Sequence, residues 1–236
     1  MKRISFLAMM LTVFVVPQVV VGQDDERTPF DAEKVAATGK TAKAFAPKGW
    51  VVEEEIKADV TGDAMDDLVI KLIEDKPKKE DEMVDRNRVL VIAAGDGKGS
   101  FSKRAVSDTV LQCTACGGAF YGVMDAPANV TVEKGVIIIN QDHGSRWVTD
   151  TTLRFRYDQQ PEMFILIGYD YASRDRAAGD IASESTNYLT GKRITEITKS
   201  KRTTKKTTVV EKMRYSLEQV DAMDMESEAT QRLGLD

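Results

Sequence analysis

Residues 152–171 read TLRFRYDQQPEMFILIGYDY, and this stretch decides the fold class. From Thr152 to Tyr157 the side chains alternate. Leu153, Phe155 and Tyr157 share one face and Arg154 and Arg156 the other, the period of a half-buried strand. Asp158 to Pro161 is turn chemistry. Met163 to Tyr171 is then a long apolar strand. Two strands joined by a short polar turn make an antiparallel pair.

The pattern repeats outward. Toward the N-terminus, Asn129 to Glu133 alternates, Lys134-Gly135 makes a tight turn, and Val136 to Asn140 is a second apolar run. Further back, RVLVIAAGDGKGSFSKRAV (88–106) is a hairpin around Gly95 to Gly99. WVVEEEIKADV and DLVIKLIED are two strands flanking an aspartate-rich turn. Toward the C-terminus, Asn187 to Thr198 and Thr203 to Met213 are strand candidates rich in Thr, Ile and Val. Residues 75–88 are almost all charged and predict a solvated loop. The expectation is a mainly β protein, an antiparallel meander or sandwich-like pair of sheets, with minor helix at the termini.

The chain has 236 residues, 42% hydrophobic and 30% charged, the composition of a folded protein. Lys2 and Arg3 precede an apolar run from Ile4 to Val21, and Val20 and Gly22 suit a cleavage site before Gln23. A signal peptide over 1–22 is the preferred reading and a retained N-terminal anchor the alternative. Cleavage leaves 236 − 22 = 214 residues and, without Lys2 and Arg3, moves the net charge from −5 to −7. The expected layout is a signal peptide (1–22), a lead-in (23–45), a β domain (46–215) and an acidic tail or short helix (216–236). No transmembrane segment is expected after cleavage. The mature chain is expected in the periplasm or outside the cell, where disulfides persist.

Asp59-Val60-Thr61-Gly62-Asp63-Ala64-Met65-Asp66-Asp67 is the densest cluster of hard oxygen ligands. Asp59, Thr61, Asp63 and Asp67 fall at loop positions 1, 3, 5 and 9, with the Met65 carbonyl at position 7, a set that suits Ca²⁺. Position 12 is Ile70 rather than Glu, so an EF-hand is excluded. The loop resembles the calcium loop of FG-GAP/VCBS repeats, D-x-[DN]-x-D-G-x-x-D between two strands. Thr61 departs from it by lowering the charge, and Ala64 stands where Gly would supply a positive φ. A weak Ca²⁺ site and a surface turn without metal are both open readings.

FAPKGW, NRVLVIAAGDGKGSF, CTACGG, HGSRW, TLRFRYD, FILIGYDY and NYLTGKRI follow in an order similar to a family of uncharacterised bacterial exported proteins with one FG-GAP-like loop. That resemblance covers most of the mature chain. It implies fold and compartment, and no activity.

Cys113 and Cys116 form C-x-x-C. A zinc site lacks further ligands, since His143 is the only histidine. A thioredoxin-like site needs a helix where Gly117-Gly118 follow. A local structural disulfide is preferred. His143, in DHGSRW, lies too close along the chain to Asp142 and Ser145 for a relay assembled from separate segments. It reads as a turn or strand end near solvent. Arg146, Trp147, Arg154 and Arg156 are a candidate ligand surface.

Residues 192–214 hold nine Lys/Arg against Glu196 and Glu211, and residues 215–236 are acidic. The preferred reading is a basic edge hairpin neutralised by the tail. The sharper one is a patch for an envelope component or anionic polymer. Nucleic acid is disfavoured by the acidic whole and the lack of interleaved aromatics. The function expected is a non-enzymatic binding or structural module, with one Ca²⁺ as its candidate cofactor. The alternative is a periplasmic redox or hydrolytic enzyme using the cysteine pair.

Overall fold

The structure is a computed structural model that describes residues 30–235. The signal peptide read over 1–22 and the first part of the lead-in lie outside the described residues.

The chain is mainly β, in two antiparallel sheets. The first contains β1 (Thr38–Gly39), β2 (Trp50–Ala58), β3 (Asp67–Glu74), β4 (Arg88–Gly95) and β5 (Phe101–Ser107), ordered β1-β5-β4-β3-β2. The second is a meander of β6 (Ala128–Glu133), β7 (Val136–Gly144), β8 (Trp147–Asp158), β9 (Met163–Asp175), β10 (Ile181–Asn187), β11 (Lys192–Lys199) and β12 (Arg202–Val209), each paired with its neighbours in sequence. One α-helix, α1 (Ala222–Leu233), follows.

The tight turns obey local chemistry. Lys134 and Gly135, both at positive φ, join β6 to β7, as a two-residue hairpin whose twist matches its strands requires. Ser200 and Lys201 do the same between β11 and β12. Asp96 closes the β4–β5 turn, its Oδ1 accepting from the amides of Lys98 and Ser100 at 2.8 and 2.9 Å. The β8–β9 pairing slips between Arg154 and Phe155, where Ile167 is the extra residue on β9. That bulge lets Phe164 and Leu166 before it, and Tyr169 and Tyr171 after it, all join the inter-sheet core.

The first sheet is covered on both faces, which is why β3 and β4 are almost wholly buried. Val69, Leu90 and Ile92 face the second sheet and meet Ile137, Leu153 and Phe155. Leu68, Ile70, Leu72, Val89 and Val91 face the other way and are covered by Val35, Ala42 and Phe45. Residues 30–46, expected as a lead-in, therefore supply one wall of the core. Arg88, expected at the end of a solvated loop, is 3% exposed in β4. Its guanidinium donates to both oxygens of Glu53 at 2.8 and 2.9 Å, and to the carbonyls of Gln112 and Ala126. A bulge between Val52 and Glu54 puts Glu53 within this reach.

β10 was not foreseen from sequence. Its core-facing side chains include Glu184 and Thr186, each 2% exposed. Burying a carboxylate needs a partner. Arg232 of α1 donates to both oxygens of Glu184 at 2.8 and 3.0 Å, and Arg193 of β11 stands at 3.4 Å.

Candidate functional site: a cleft under the C-terminal helix

Residues 216–235 fold back over the second sheet. Leu217 and Val220 are buried, and the Thr109 hydroxyl donates to the Val220 carbonyl at 2.7 Å. Asp221 caps α1, its carboxylate accepting from the amides of Met223 and Asp224. Gly234 ends the helix in a left-handed conformation, φ 65°. Ala229 and Leu233 enter the inter-sheet core, and Thr230 bonds the Tyr171 hydroxyl at 3.1 Å.

Between α1, the 109–116 segment and strands β7 and β8 lies a cleft of about 380 Å³ with mostly apolar walls. Leu111, Cys116, Thr151, Ala222 and Met223 line it. Thr109, Gln112, Gln141, Ser227 and Thr230 add polar atoms to the lining, and one acid–base pair stands in the cleft. His143 Nε2 lies 2.8 and 3.0 Å from the two carboxylate oxygens of Glu226. The histidine is held above its ordinary pKa chiefly by this hydrogen bond, with burial opposing and the Glu226, Asp142 and Asp150 charges assisting. The protonated ring and the carboxylate then form a charge-assisted bond. His143 thus stands at the end of β7, one of the two expected placements, and is paired rather than free. Its partner is 83 residues away, and sequence reasoning missed Glu226. The available signal was the capped helix, Asp221 to Gly234, with apolar residues on one face.

Cys113 and Cys116 are joined as a disulfide, with Cα atoms 5.1 Å apart. They sit in a turn rather than at a helix start, so the helix N-terminus that lowers a thiol pKa in thioredoxin-like sites is missing. Beyond them, Gly117 and Gly118 pack too closely for side chains. A Cβ on Gly118 would lie 3.0 Å from the Gly144 carbonyl oxygen, and one on Gly117 2.5 Å from the Tyr121 ring. The loop is fastened there to the end of β7, with Phe120 N donating to Gly144 O and Gly144 N to Gly117 O. Tyr121 donates to Asp142 at 2.7 Å, and burial together with this bond pushes the phenol up to about 12.

The residues proposed as a ligand surface do not gather. Trp147 is half exposed, with the Arg146 guanidinium over its ring at 5.8 Å. Arg146 is held by Asp175 through bonds of 3.0 and 2.7 Å. That bond, with the amides of Ala177 and Ala178, draws the Asp175 carboxyl down to about 2. Arg154 pairs with Asp170 at 2.7 Å on the outer face of the sheet. Trp147 and Arg156 lie nine residues apart on one strand, about 30 Å.

The aspartate loop joins β2 to β3 as expected, and its carboxylates have other work. Asp67 is fully buried. Its Oδ2 accepts from the amides of Val60 and Thr61 at 2.9 Å and from the Thr61 hydroxyl at 3.0 Å, and its Oδ1 accepts from Gly95 N at 2.9 Å. Asp59 accepts from the amides of Gly62 and Ala64, and Asp63 from Met65 N. The turn uses positive φ at Gly62 (81°) and Ala64 (66°). Among the described residues, no three His, Cys, Asp or Glu side chains converge as a metal-binding group. A Ca²⁺ shell needs six to eight oxygens. Asp67 faces amides across the loop instead, so Asp59, Thr61, Asp63, Met65 and Asp67 do not fit a calcium site in this arrangement. Compared with known proteins, the chain matches no family model, no curated protein and no solved structure.

Proposed function

We propose that the protein is an exported, non-enzymatic binding module that takes a small apolar ligand with a polar head in the cleft beneath α1. One observation carries this reading: the His143–Glu226 pair stands inside a mostly apolar cleft of about 380 Å³, the combination of apolar bulk and few oriented polar groups that small-molecule sites use. Export is supported by the signal-like first 22 residues and by the disulfide. No helix among the described residues is long and apolar enough to cross a membrane. Binding is favoured over catalysis by what surrounds the reactive groups. The sulfurs are bonded to each other, and the histidine nitrogen nearest a carboxylate is engaged by both its oxygens. The likeness of the 59–67 loop to FG-GAP/VCBS repeats is carried here as a strand–loop–strand frame whose carboxylates cap amides.

The test is amide-resolved NMR of the mature chain titrated with hexylamine, hexanol and hexanoate. Saturable shifts confined to residues 141–144 and 222–230 for at least one probe, lost in Ser227→Trp, are expected. Absence of localised shifts with all three probes overturns the cleft as a site. Two reactive thiols in the native protein would move the reading to the redox alternative.

A further inference from the structure

Among the described residues, no carboxylate of the acidic tail pairs with a cation of the basic hairpin. Three of the tail's carboxylates are engaged within the tail or by the sheet. Glu226 meets His143, Glu228 meets Arg232, and Asp221 caps the helix. Within the hairpin, Arg193 is taken by Glu184, Lys205 by Glu196, and Arg214 by Asp158. Among the described residues, Lys192, Lys199, Lys201, Arg202, Lys206 and Lys212 make no ion pair. An edge strand needs only a charge or two to discourage pairing, so edge protection leaves most of these cations unexplained.

Their placement follows from register. Lys199 lies opposite Arg202, Ile197 opposite Thr204, Thr195 opposite Lys206, and Arg193 opposite Thr208. Residues directly opposite share a face. This is the face that, on β9 and β10, carries Tyr169, Tyr171 and Glu184 toward the core and α1. On β12 that cover has ended, and all its residues but Thr208 are exposed. Along β12 the face reads Arg202, Thr204, Lys206, Thr208, with cation and hydroxyl alternating at about 6.6 Å.

We propose that this face of β11–β12 is a docking surface for an acidic polysaccharide. A chain that alternates carboxylate or sulfate groups with hydroxyls is complementary to a row that alternates ammonium or guanidinium with hydroxyls. The positive field stands out against a chain of net charge −5 and steers a polyanion to one edge. Residues 189–214 contain no Trp, Tyr or Phe. The face therefore lacks the rings on which bases stack and those that anchor a protein at a bilayer surface. Of the exposed apolar side chains nearby, Leu189, Val209 and Met213 sit toward the base of the ribbon, and Ile181 lies beside Thr198, whose side chain is on the other face from Lys199 and Arg202.

The test uses the mature chain against immobilised heparin and polygalacturonate, with phosphatidylglycerol vesicles and duplex DNA alongside, at low and high salt. Binding to at least one polysaccharide that weakens with salt is expected. Lys199→Glu/Arg202→Glu/Lys206→Glu should weaken it by about tenfold or more. The milder Lys199→Gln/Arg202→Gln/Lys206→Gln should weaken it in the same direction, with an unchanged melting temperature that certifies the fold. Reversal of Lys40, Lys43 and Lys48, exposed on the segment between β1 and β2, should leave it intact. The proposal is overturned if neither polysaccharide binds at low salt, if both ribbon variants bind as tightly as the parent, or if vesicles or DNA bind more tightly than both polysaccharides.

Discussion

Asp67 is the residue on which the β2–β3 connection hangs. Its carboxylate gathers three backbone amides and a hydroxyl in a fully buried position. Asp67→Ala strands those donors and should cost about 3 kcal/mol or more in denaturant unfolding. The loss should be equal in calcium and in chelator, because the carboxylate serves the backbone. Ala64 in the same loop is held at φ 66°, a conformation that costs a Cβ-bearing residue about 1–2 kcal/mol. Glycine relieves this but gains freedom in the unfolded chain. Ala64→Gly should therefore stabilise by about 0.5–1 kcal/mol, read as a higher denaturation midpoint.

His143 gives a pH signature. Its folded pKa is raised by Glu226, so folding favours the protonated ring. The contribution is fully present below the ordinary value of about 6.5 and fades as pH rises through the raised folded value. The melting-temperature gap between the parent and His143→Gln should be open at about pH 5.5 and closed or narrowed at about pH 9. A gap that widens with pH would contradict the pairing.

At the scale of elements, α1 is bound to the sheet by a buried charge. The Glu184 side chain is fully enclosed, and Arg232 supplies both of its close hydrogen bonds. Arg232→Ala leaves Glu184 with Arg193 at 3.4 Å and should destabilise by about 3–5 kcal/mol. Hydrogen exchange should show α1 loosened first, since the same arginine also holds Glu228 one turn back. β10 shows why elements differ in legibility. Ile-Ala-Ser-Glu-Ser-Thr-Asn has no apolar alternation, and its inward carboxylate reads as a loop residue until a partner from another element is known. β8 and β9 were legible from Thr152 to Tyr157 and from Met163 to Tyr171, where the inward residues are aromatic and aliphatic, but not in their remaining lengths, where Thr149, Thr151, Ser173 and Asp175 are the buried residues. A short helix within 216–236 was one of the expected readings, but neither its caps at Asp221 and Gly234 nor the strand that Glu226 would meet was read from it.

At the scale of the whole molecule, the first sheet is the middle of three layers. Residues 30–46 cover one face and the second sheet covers the other. Phe45 is fully buried among Leu68, Ile70 and Val91. Phe45→Ala should cost about 3–5 kcal/mol in cooperative unfolding, a loss that a peripheral lead-in would not produce. The second sheet is covered in its β6–β10 part and bare at β12, where charge and threonine replace apolar residues. What the amino-acid sequence determined by itself was local. Period-two alternation, turn residues and the close spacing of Cys113 and Cys116 specify strands, hairpins and a short disulfide, because neighbours in the chain interact whatever the rest does. Only the tertiary structure decided which faces are covered and which charges are paired. Glu226 reached His143, Arg232 reached Glu184 and Asp67 reached Gly95 because burial makes a charge or amide seek a partner wherever the fold supplies one. The ribbon cations face solvent because, among the described residues, no carboxylate of the acidic tail reaches them.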